Sequence, residues 1–528
     1  MTRQSGLCGL MLDAARLVES PEYYRRFLDF CADWNVNAVI FRLTDDQGCA
    51  LRFHSHPELV THPNALTPEE AAALAQYAAA CGIELIPEIE SLGHSHYITR
   101  TREHADLDDQ APGGHSWANA IIPLHPKTMR IMGDLYAEAA ALFPGRYLHA
   151  GCDETNWGGS TFSRELLKTR TQAQVWGEYL NALNAKVRGL GREMIVWDDM
   201  VLQHEPAILD QLDRSIILHD WEYAGAAPAP IAARLALARD KGFRMLGGPA
   251  LHWAKWGPRV GADQLANLDA YADVFLKSGA SVPLAKESSG VGFDASLGVI
   301  ATNWCPARHL RDAIWDGLAY TAVAMSEGGA VARATAFQRF VERHYGAEWN
   351  EAWADMFTTL HAAAPTRQGD TPVRMIVPWA SAEELQQAVA AAPLPVQPFA
   401  GLLAALGRLQ PAVRRNHADF AAVRLTVSYL AHLYWRQAAV CGQSGDGLQA
   451  ALAEVARRDA ALADQLAADW RTTRTGDPLA GYNQLATWGF GPEDWLHGRF
   501  LEAARFSARI DSTPVGRRIR GKQEETKQ

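Results

Sequence analysis

The chain has 528 residues, more than one ordinary domain needs, so one large domain with an appendage is expected. A hydrophobic fraction of 48% and a charged fraction of 21% are ordinary for a soluble globular protein. A net charge of −10 with no basic stripe argues against nucleic acid as a partner, and no apolar run approaches the roughly 18–20 residues that cross a bilayer.

A first strand is expected at residues 7–13, then a helix at 21–35 with Ser20 as its cap and Pro21 at its first position. Strands at 37–43, 83–88, 146–151, 193–197, 215–221, 243–247 and 297–304 follow. They alternate with helices at 67–81, 127–142, 171–189, 206–211, 230–241, within 263–276, and at 309–325. Thr67, Pro68 and Glu70 form a capping box for the helix at 67–81, and Gly82 ends it. The strands are continuous apolar runs, the pattern of strands covered on both faces. Eight strand–helix units close naturally into a (β/α)8 TIM barrel, an α/β fold whose active site lies at the strand C-terminal ends. An open doubly wound sheet is the alternative, but no Gly-rich phosphate loop follows the first strand.

After about residue 330 the strands stop. Helices are expected at 334–345, 352–362, 381–391, 399–423 (broken near Pro411) and 448–470, with Pro-punctuated connections at 364–372 and 392–398. Tyr429, Tyr434 and Trp435 stand at helical spacing and read as packing residues. The organisation is therefore a barrel at 1–330, an α-helical C-terminal region at 331–512 and a charge-rich disordered tail at 513–528. The helical region could close the active site, form a homodimer interface or brace the barrel. Seven scattered Cys without a CxxC pair read as reduced thiols, and the N-terminus lacks a signal-like segment, so a cytoplasmic location is expected.

If the barrel forms, its strand ends carry the chemistry. Asp13 and Arg16 follow the first strand, and Arg42 and Asp45 the second; Glu88 and His94 follow the third. The fourth leads to His149, Asp153 and Glu154, and the fifth to Trp197 and Asp198. Trp221 and Tyr223 follow the sixth, Trp253 the seventh and Trp304 the eighth. Carboxylates and Trp on one rim suit glycoside hydrolysis, in which acids move protons and aromatic faces grip a sugar ring. Asp153 and Glu154 are the centre of this set. Adjacent acids inside a strand point to opposite faces, whereas just past a strand end they can converge on one pocket. The bland alternative is a helix cap.

Five ordered motifs, Gly9-Leu-Met-Leu-Asp-Ala-Ala-Arg16, Leu43-Thr-Asp-Asp-Gln-Gly48, Ile86-Pro-Glu-Ile-Glu-Ser-Leu-Gly-His-Ser95, His149-Ala-Gly-Cys-Asp-Glu154 and Val196-Trp-Asp-Asp-Met200, resemble the catalytic domain of glycoside hydrolase family 20, the β-N-acetylhexosaminidases. The resemblance covers residues 7–330 and looks like the barrel-first, intracellular type. It implies a retaining exo-hydrolase of terminal β-linked N-acetylhexosamine that uses the substrate's 2-acetamido group as nucleophile, with no cofactor and no metal. Carried over, Glu154 is the general acid and base, and Asp153 holds the acetamido N–H. Trp197, Trp221 and Trp304 line the sugar pocket, Asp45, Glu88 and His94 support it from beneath, and His149 orients the acid pair.

Departures from the family pattern concern the sugar. Cys8 stands where the family has Arg, Phe41-Arg42 where it often has Trp-His, and Gly151-Cys152 where it has Gly-Gly. Trp304-Cys-Pro306 replaces Trp-x-Glu, and no Tyr-x-Asp follows the seventh strand, leaving Tyr223 as candidate for aligning the acetamido carbonyl. GlcNAc, GalNAc and a modified hexosamine all stay open as substrates. Two rival readings are a metal-dependent barrel hydrolase built on His54, His56, His94, His96, His149 and Asp153, and a non-catalytic carbohydrate-binding barrel.

Overall fold

The computed structural model describes residues 6–111, 119–204, 206–223, 227–252, 259–278, 295–306, 309–364, 378–392, 398–474 and 496–510. Trp253, the tail at 513–528 and most of both Pro-punctuated connections lie outside them. Two compact units are formed. One comprises Met1–Trp253, Asp263–Pro306 and Gly317–Ala336, and the other Ala254–Ala262, Ala307–Asp316 and Phe337–Gln528.

The first unit is a closed, all-parallel barrel. Its strands are β1 (Leu7–Leu12), β2 (Ala38–Arg42), β3 (Glu84–Glu88), β4 (Tyr147–His149), β5 (Glu193–Trp197), β6 (Ile217–Asp220), β7 (Arg244–Gly247) and β8 (Ser296–Asn303). They pair in sequence order, and β8 closes on β1 with Leu7 opposite Gly298 and Leu10 opposite Ala301. Burial on both faces explains the apolar runs: Leu10, Met11, Val39, Ile40, Ile86 and Leu148 are all excluded from solvent.

Helices α1 (Pro21–Asp33), α2 (Pro68–Ala80), α3 (Pro126–Leu142), α4 (Gln172–Gly189), α5 (Pro228–Asp240), α6 (Ala262–Ser278) and α7 (Trp315–Glu327) separate or follow the strands. Their starts are chemically specified. Ser20 Oγ accepts from Tyr23 N–H, and reciprocal capping boxes link Thr67 with Glu70 and Thr171 with Gln174. Pro occupies the first turn of α1, α2, α3 and α5, where its missing N–H costs nothing. The expected helix at 206–211 is a 3-10 turn, Pro206–Gln211.

A small sheet near the rim is not foreseen by the sequence, and neither are the helices Thr161–Leu166 and Leu496–Ile510. Between β2 and α2, Thr44–Asp45 pairs antiparallel with Gly48–Leu51, which pairs parallel with Thr61–Leu66. This small sheet fixes Asp45 and Asp46 at the barrel rim.

The second unit is helical. Beyond Gly329–Phe340 it contains Glu351–Ala363, Ala382–Ala390, Phe399–Leu409, His417–Val440, Gly445–Thr473 and Leu496–Ile510. Pro411 breaks the predicted helix at 399–423 through a 3-10 turn, and the chain restarts after Asn416 in the left-handed region. Tyr429 packs edge-on against Phe500 and Tyr434 against Phe399, while Trp435 lies under Arg458, so the three aromatics are packing residues. Among the described residues, no helix is long and apolar enough to cross a membrane.

Candidate active site

At the C-terminal end of the barrel the strands deliver charged groups into a nearly closed layer. Arg42, the last residue of β2, is fully enclosed. Its guanidinium contacts Asp45 at 2.5 Å, Glu88 at 2.8 Å and Glu90 at 2.6 Å, with Asp13 3.8 Å away. Arg16 bridges Asp13 at 3.1 Å and Asp45 at 3.0 Å. A planar fork with five donors suits such multiple carboxylate contacts better than a lysine would. Both guanidinium groups also lie about the Trp304 ring, 5.1 Å and 4.9 Å from its centroid.

His94 joins this layer to the acid pair. Its Nδ1 lies 3.6 Å from Asp45 and 3.3 Å from Asp46, and its Nε2 lies 3.7 Å from Asp153 and 3.4 Å from Glu154. The two acids can face one histidine because the backbone turns sharply between them. Gly151 (φ 64°), Cys152 (φ 76°) and Glu154 (φ 47°) are all left-handed. A Cβ on Gly151 would stand 2.0 Å from Glu90 Oε2, and one on Gly93 would stand 2.1 Å from the Asp153 carbonyl oxygen. Those glycines permit the close approach. The Asp153 side chain is 8% exposed and that of Glu154 30%, so one acid is enclosed and its neighbour reaches solvent.

Carboxylates outnumber cations in this layer, and protons make up part of the difference. Burial opposes the His94 imidazolium, but Asp45 and Asp153 outweigh it and hold its pKa well above the ordinary value. Burial likewise opposes ionised Asp45, yet Arg16 and Arg42 keep its carboxyl well below the usual range. Glu90 is pushed well above the carboxylate range by burial and by Asp153; Glu88, buried but facing Arg42, rises to about 7.

An aromatic floor lies beside the acids. Trp197 is 1% exposed, donates through Nε1 to Glu88 at 2.8 Å and stacks on His219 with centroids 4.2 Å apart. His149 packs 4.5 Å from the same indole and accepts from Gly151 N–H at 3.0 Å. Burial, followed by the nearby His219 and Arg42, keeps the His149 pKa well below normal, so this ring is neutral. Tyr223 receives the Trp304 Nε1–H at 2.7 Å and the Thr302 hydroxyl at 3.2 Å, and Trp221 packs 5.0 Å from it. Asp198 accepts from Trp221 N–H at 3.2 Å.

Four residues given no role by the sequence reading belong to this arrangement. Glu90 accepts from Cys152 N–H at 3.0 Å, Asp46 accepts from His96 N–H at 3.0 Å, and His219 supports Trp197. Asp199 accepts from Glu154 N–H at 2.9 Å, and burial together with Asp153 pushes its pKa up to about 8. All four stand one or two residues from an assigned position, so a stricter reading of alternating strand faces was the available signal. Cys8 points the other way: its Sγ lies 4.0 Å from the Ala322 carbonyl on α7, outside the barrel. The guanidinium groups of the rim come from Arg16 and Arg42 instead.

Two groups of this rim, Asp45–Asp46–His94 and His94–Asp153–Glu154, have potential ligand atoms within 4.8 Å of one another. His94 lies between the acids in both groups, and the rise in its pKa favours a charged imidazolium at that point.

Residues 7–240 match the family model "Glycosyl hydrolase family 20, catalytic domain". A β-hexosaminidase of Vibrio furnissii is 28% identical over 245 residues, 40% of this chain and 39% of that protein. A probable β-hexosaminidase of Arthroderma benhamiae is 26% identical over 238 residues, covering 40% and 38%. This chain thus spans well under half the length of the curated relatives it matches. The crystal structure of the exo-β-N-acetylglucosaminidase of Vibrio harveyi with N-acetylglucosamine aligns with 61% of this chain and 54% of its own, at 23% identity and a TM-score of 0.46.

Proposed function

We propose that this chain, whose residues 7–240 match the catalytic domain of glycosyl hydrolase family 20, is a member of that family and a retaining exo-β-N-acetylhexosaminidase acting by substrate-assisted catalysis. The observation that carries the mechanism is the acid pair itself. Asp153 and Glu154 are consecutive, face one histidine and bring carboxylate oxygens within 4.8 Å of each other. Retaining enzymes with their own nucleophile hold the two carboxyl groups about 5–5.5 Å apart on opposite sides of the scissile bond. Two acids on one turn do not flank a ring in that way, which supports a nucleophile supplied by the substrate.

Glu154, the more exposed acid, protonates the leaving glycosidic oxygen while the 2-acetamido carbonyl oxygen attacks C1. The Asp153 carboxylate accepts the acetamido N–H and stabilises the cationic oxazolinium ring. Glu154, now a carboxylate, takes a proton from water as that water attacks C1, and the second inversion gives net retention. Tyr223 aligns the acetamido carbonyl. Burial raises its pKa above the ordinary phenol value, which keeps the hydroxyl protonated and able to donate. Trp197, Trp221 and Trp304 form the apolar wall, and Arg42, Asp45, Glu88, His94 and His149 position the groups above them. GlcNAc and GalNAc remain alternative sugars. The seven free cysteines, five of them buried, suit a reducing, cytoplasmic compartment.

Aryl 2-acetamido-2-deoxy-β-glycosides of both configurations test the reading on the native chain and on Glu154→Gln. Turnover of substrates with poor leaving groups falls on the order of 10²–10⁴-fold in the variant, with partial rescue by good leaving groups. Equal rates in the two proteins contradict the assignment. The metal-dependent alternative rests on the clustering around His94; anomalous scattering from crystals of the active enzyme shows an ion bonded to His94, Asp153 and Glu154 if a metal acts there, and none at those atoms if the imidazolium reading is correct.

A further inference from the structure

A second polar cluster stands apart from the rim network. His56 and Glu58 lie in the connection between the strands Gly48–Leu51 and Thr61–Leu66, and His104 immediately precedes a 3-10 turn, Ala105–Leu107. One oxygen, Glu58 Oε1, meets His56 Nδ1 at 2.9 Å and His104 Nε2 at 2.7 Å. The three groups have ligand atoms within 4.8 Å of one another, and both imidazoles are largely enclosed. The second nitrogen of His56 is also occupied: Nε2 lies 3.2 Å from Asp134 on α3.

That arrangement constrains the histidine. A neutral imidazole carries one N–H, so His56 can donate to only one of its two carboxylates. With its proton on Nε2 toward Asp134, the Nδ1 lone pair points at Glu58 and toward His104 Nε2. An imidazole that ligates through one nitrogen and gives its other N–H to a carboxylate is the usual arrangement of a metal-bound histidine.

We propose that His56, Glu58 and His104 bind a divalent transition-metal ion of zinc type, with Asp134 orienting His56 from behind. Two imidazole nitrogens and one carboxylate oxygen suit zinc, and harder cations such as calcium and magnesium prefer all-oxygen sets. Bonds of about 2.0–2.2 Å place tetrahedral ligand atoms roughly 3.3 Å apart, so the two contacts to Glu58 open by about 0.5 Å while the imidazole nitrogens, within 4.8 Å of one another, come to the same spacing. Glu58, whose side chain is 25% exposed, leaves the fourth position to water.

The ion would clip the 52–60 connection to the segment containing His104 and, through Asp134, to α3. Other contacts already converge there: Glu138 accepts from the N–H groups of His54 and Ser55, and Val60 N–H reaches the Tyr97 carbonyl. The connection leads directly into the small sheet that fixes Asp45 and Asp46. The site therefore has a structural role, independent of the hydrolase reading.

Calorimetric titration of the EDTA-dialysed full chain with Zn²⁺ tests this. One equivalent binds, and Tm rises in a way EDTA reverses. Asp134→Asn weakens binding by about 10–100-fold, and Glu58→Gln and His104→Ala weaken it further. Absence of binding, or undiminished binding in His104→Ala, overturns the proposal. Should the variants misfold by circular dichroism, anomalous scattering at the zinc edge from zinc-soaked wild-type crystals decides instead. A peak at bonding distance from His56 Nδ1 and His104 Nε2 supports the site, whereas a peak at the His94 acids alone, or none, overturns it.

Discussion

Glu154 occupies the left-handed backbone region at φ 47°, and Cys152 does so at φ 76°. Each such non-glycine residue costs of order 1–3 kcal/mol, which persists only where the surroundings hold it. Here the holding contacts are Asp199, which accepts the Glu154 N–H, and Glu90, which accepts the Cys152 N–H. Gly151→Ala should disturb the second contact, because the new methyl would meet Glu90. We expect a drop in kcat far exceeding any change in KM for the same aryl glycoside, with the fold retained by circular dichroism.

Asp199 also carries a pH signature. Its pKa near 8 in the folded chain compares with 3.8 for an ordinary aspartate. Below about pH 4 both folded and unfolded states hold the proton. Between there and about pH 8 only the folded state does, so its share of stability falls as pH rises, by at most about 1.4 kcal/mol per unit. Asp199→Asn removes that slope while keeping an acceptor for Glu154. Urea denaturation at about pH 5 and pH 8 should show the variant gaining on wild type as pH rises; a constant difference would contradict the protonated carboxyl. At this scale the sequence singles out Asp153, Glu154 and most of the residues that the fold gathers at the same rim. It did not separate Asp198 from Asp199, nor Glu88 from Glu90, because only the folded register shows which acid meets which backbone amide.

Elements were legible to different degrees for physical reasons. The barrel strands announce themselves as apolar runs buried on both faces, and β5 falls at the expected residues. Caps were equally readable because Thr67, Pro68 and Glu70 each satisfy or remove a specific orphan N–H. Thr67→Ala should therefore cost about 1 kcal/mol by chemical denaturation, without changing KM. The small sheet was hidden. Its strands are short, Thr61–Leu66 contains Pro63 and Asn64, and no alternation of polar and apolar residues marks it. The 3-10 turn at Pro206–Gln211 and the restart at Asn416 depend on local geometry that periodicity does not encode.

For the whole molecule, the repeat of eight units was enough to expect closure, because each strand finds its successor as neighbour and β8 returns to β1. The cut expected at residue 330 is less simple in three dimensions: short stretches before it, including residues 307–316, group with the later helices. A linear scan cannot anticipate such interleaving. The sugar is the other global property that sequence leaves open, since Arg16 and Arg42 supply the rim's positive charge while Cys8 faces α7. Parallel assays on gluco and galacto aryl glycosides should give unequal kcat/KM values, because a rim built to hydrogen-bond one C4 hydroxyl leaves groups unpaired with its epimer.

In the proposed mechanism the acetamido oxygen, and no enzyme carboxylate, attacks the anomeric carbon. The most direct test of that step is kcat/KM for a series of aryl glycosides whose N-acetyl group carries none, one, two or three fluorines. Fluorine weakens the carbonyl oxygen as a nucleophile and leaves the glycosidic bond unchanged. The mechanism predicts a steep, regular fall along the series; a flat series would show that the nucleophile lies elsewhere.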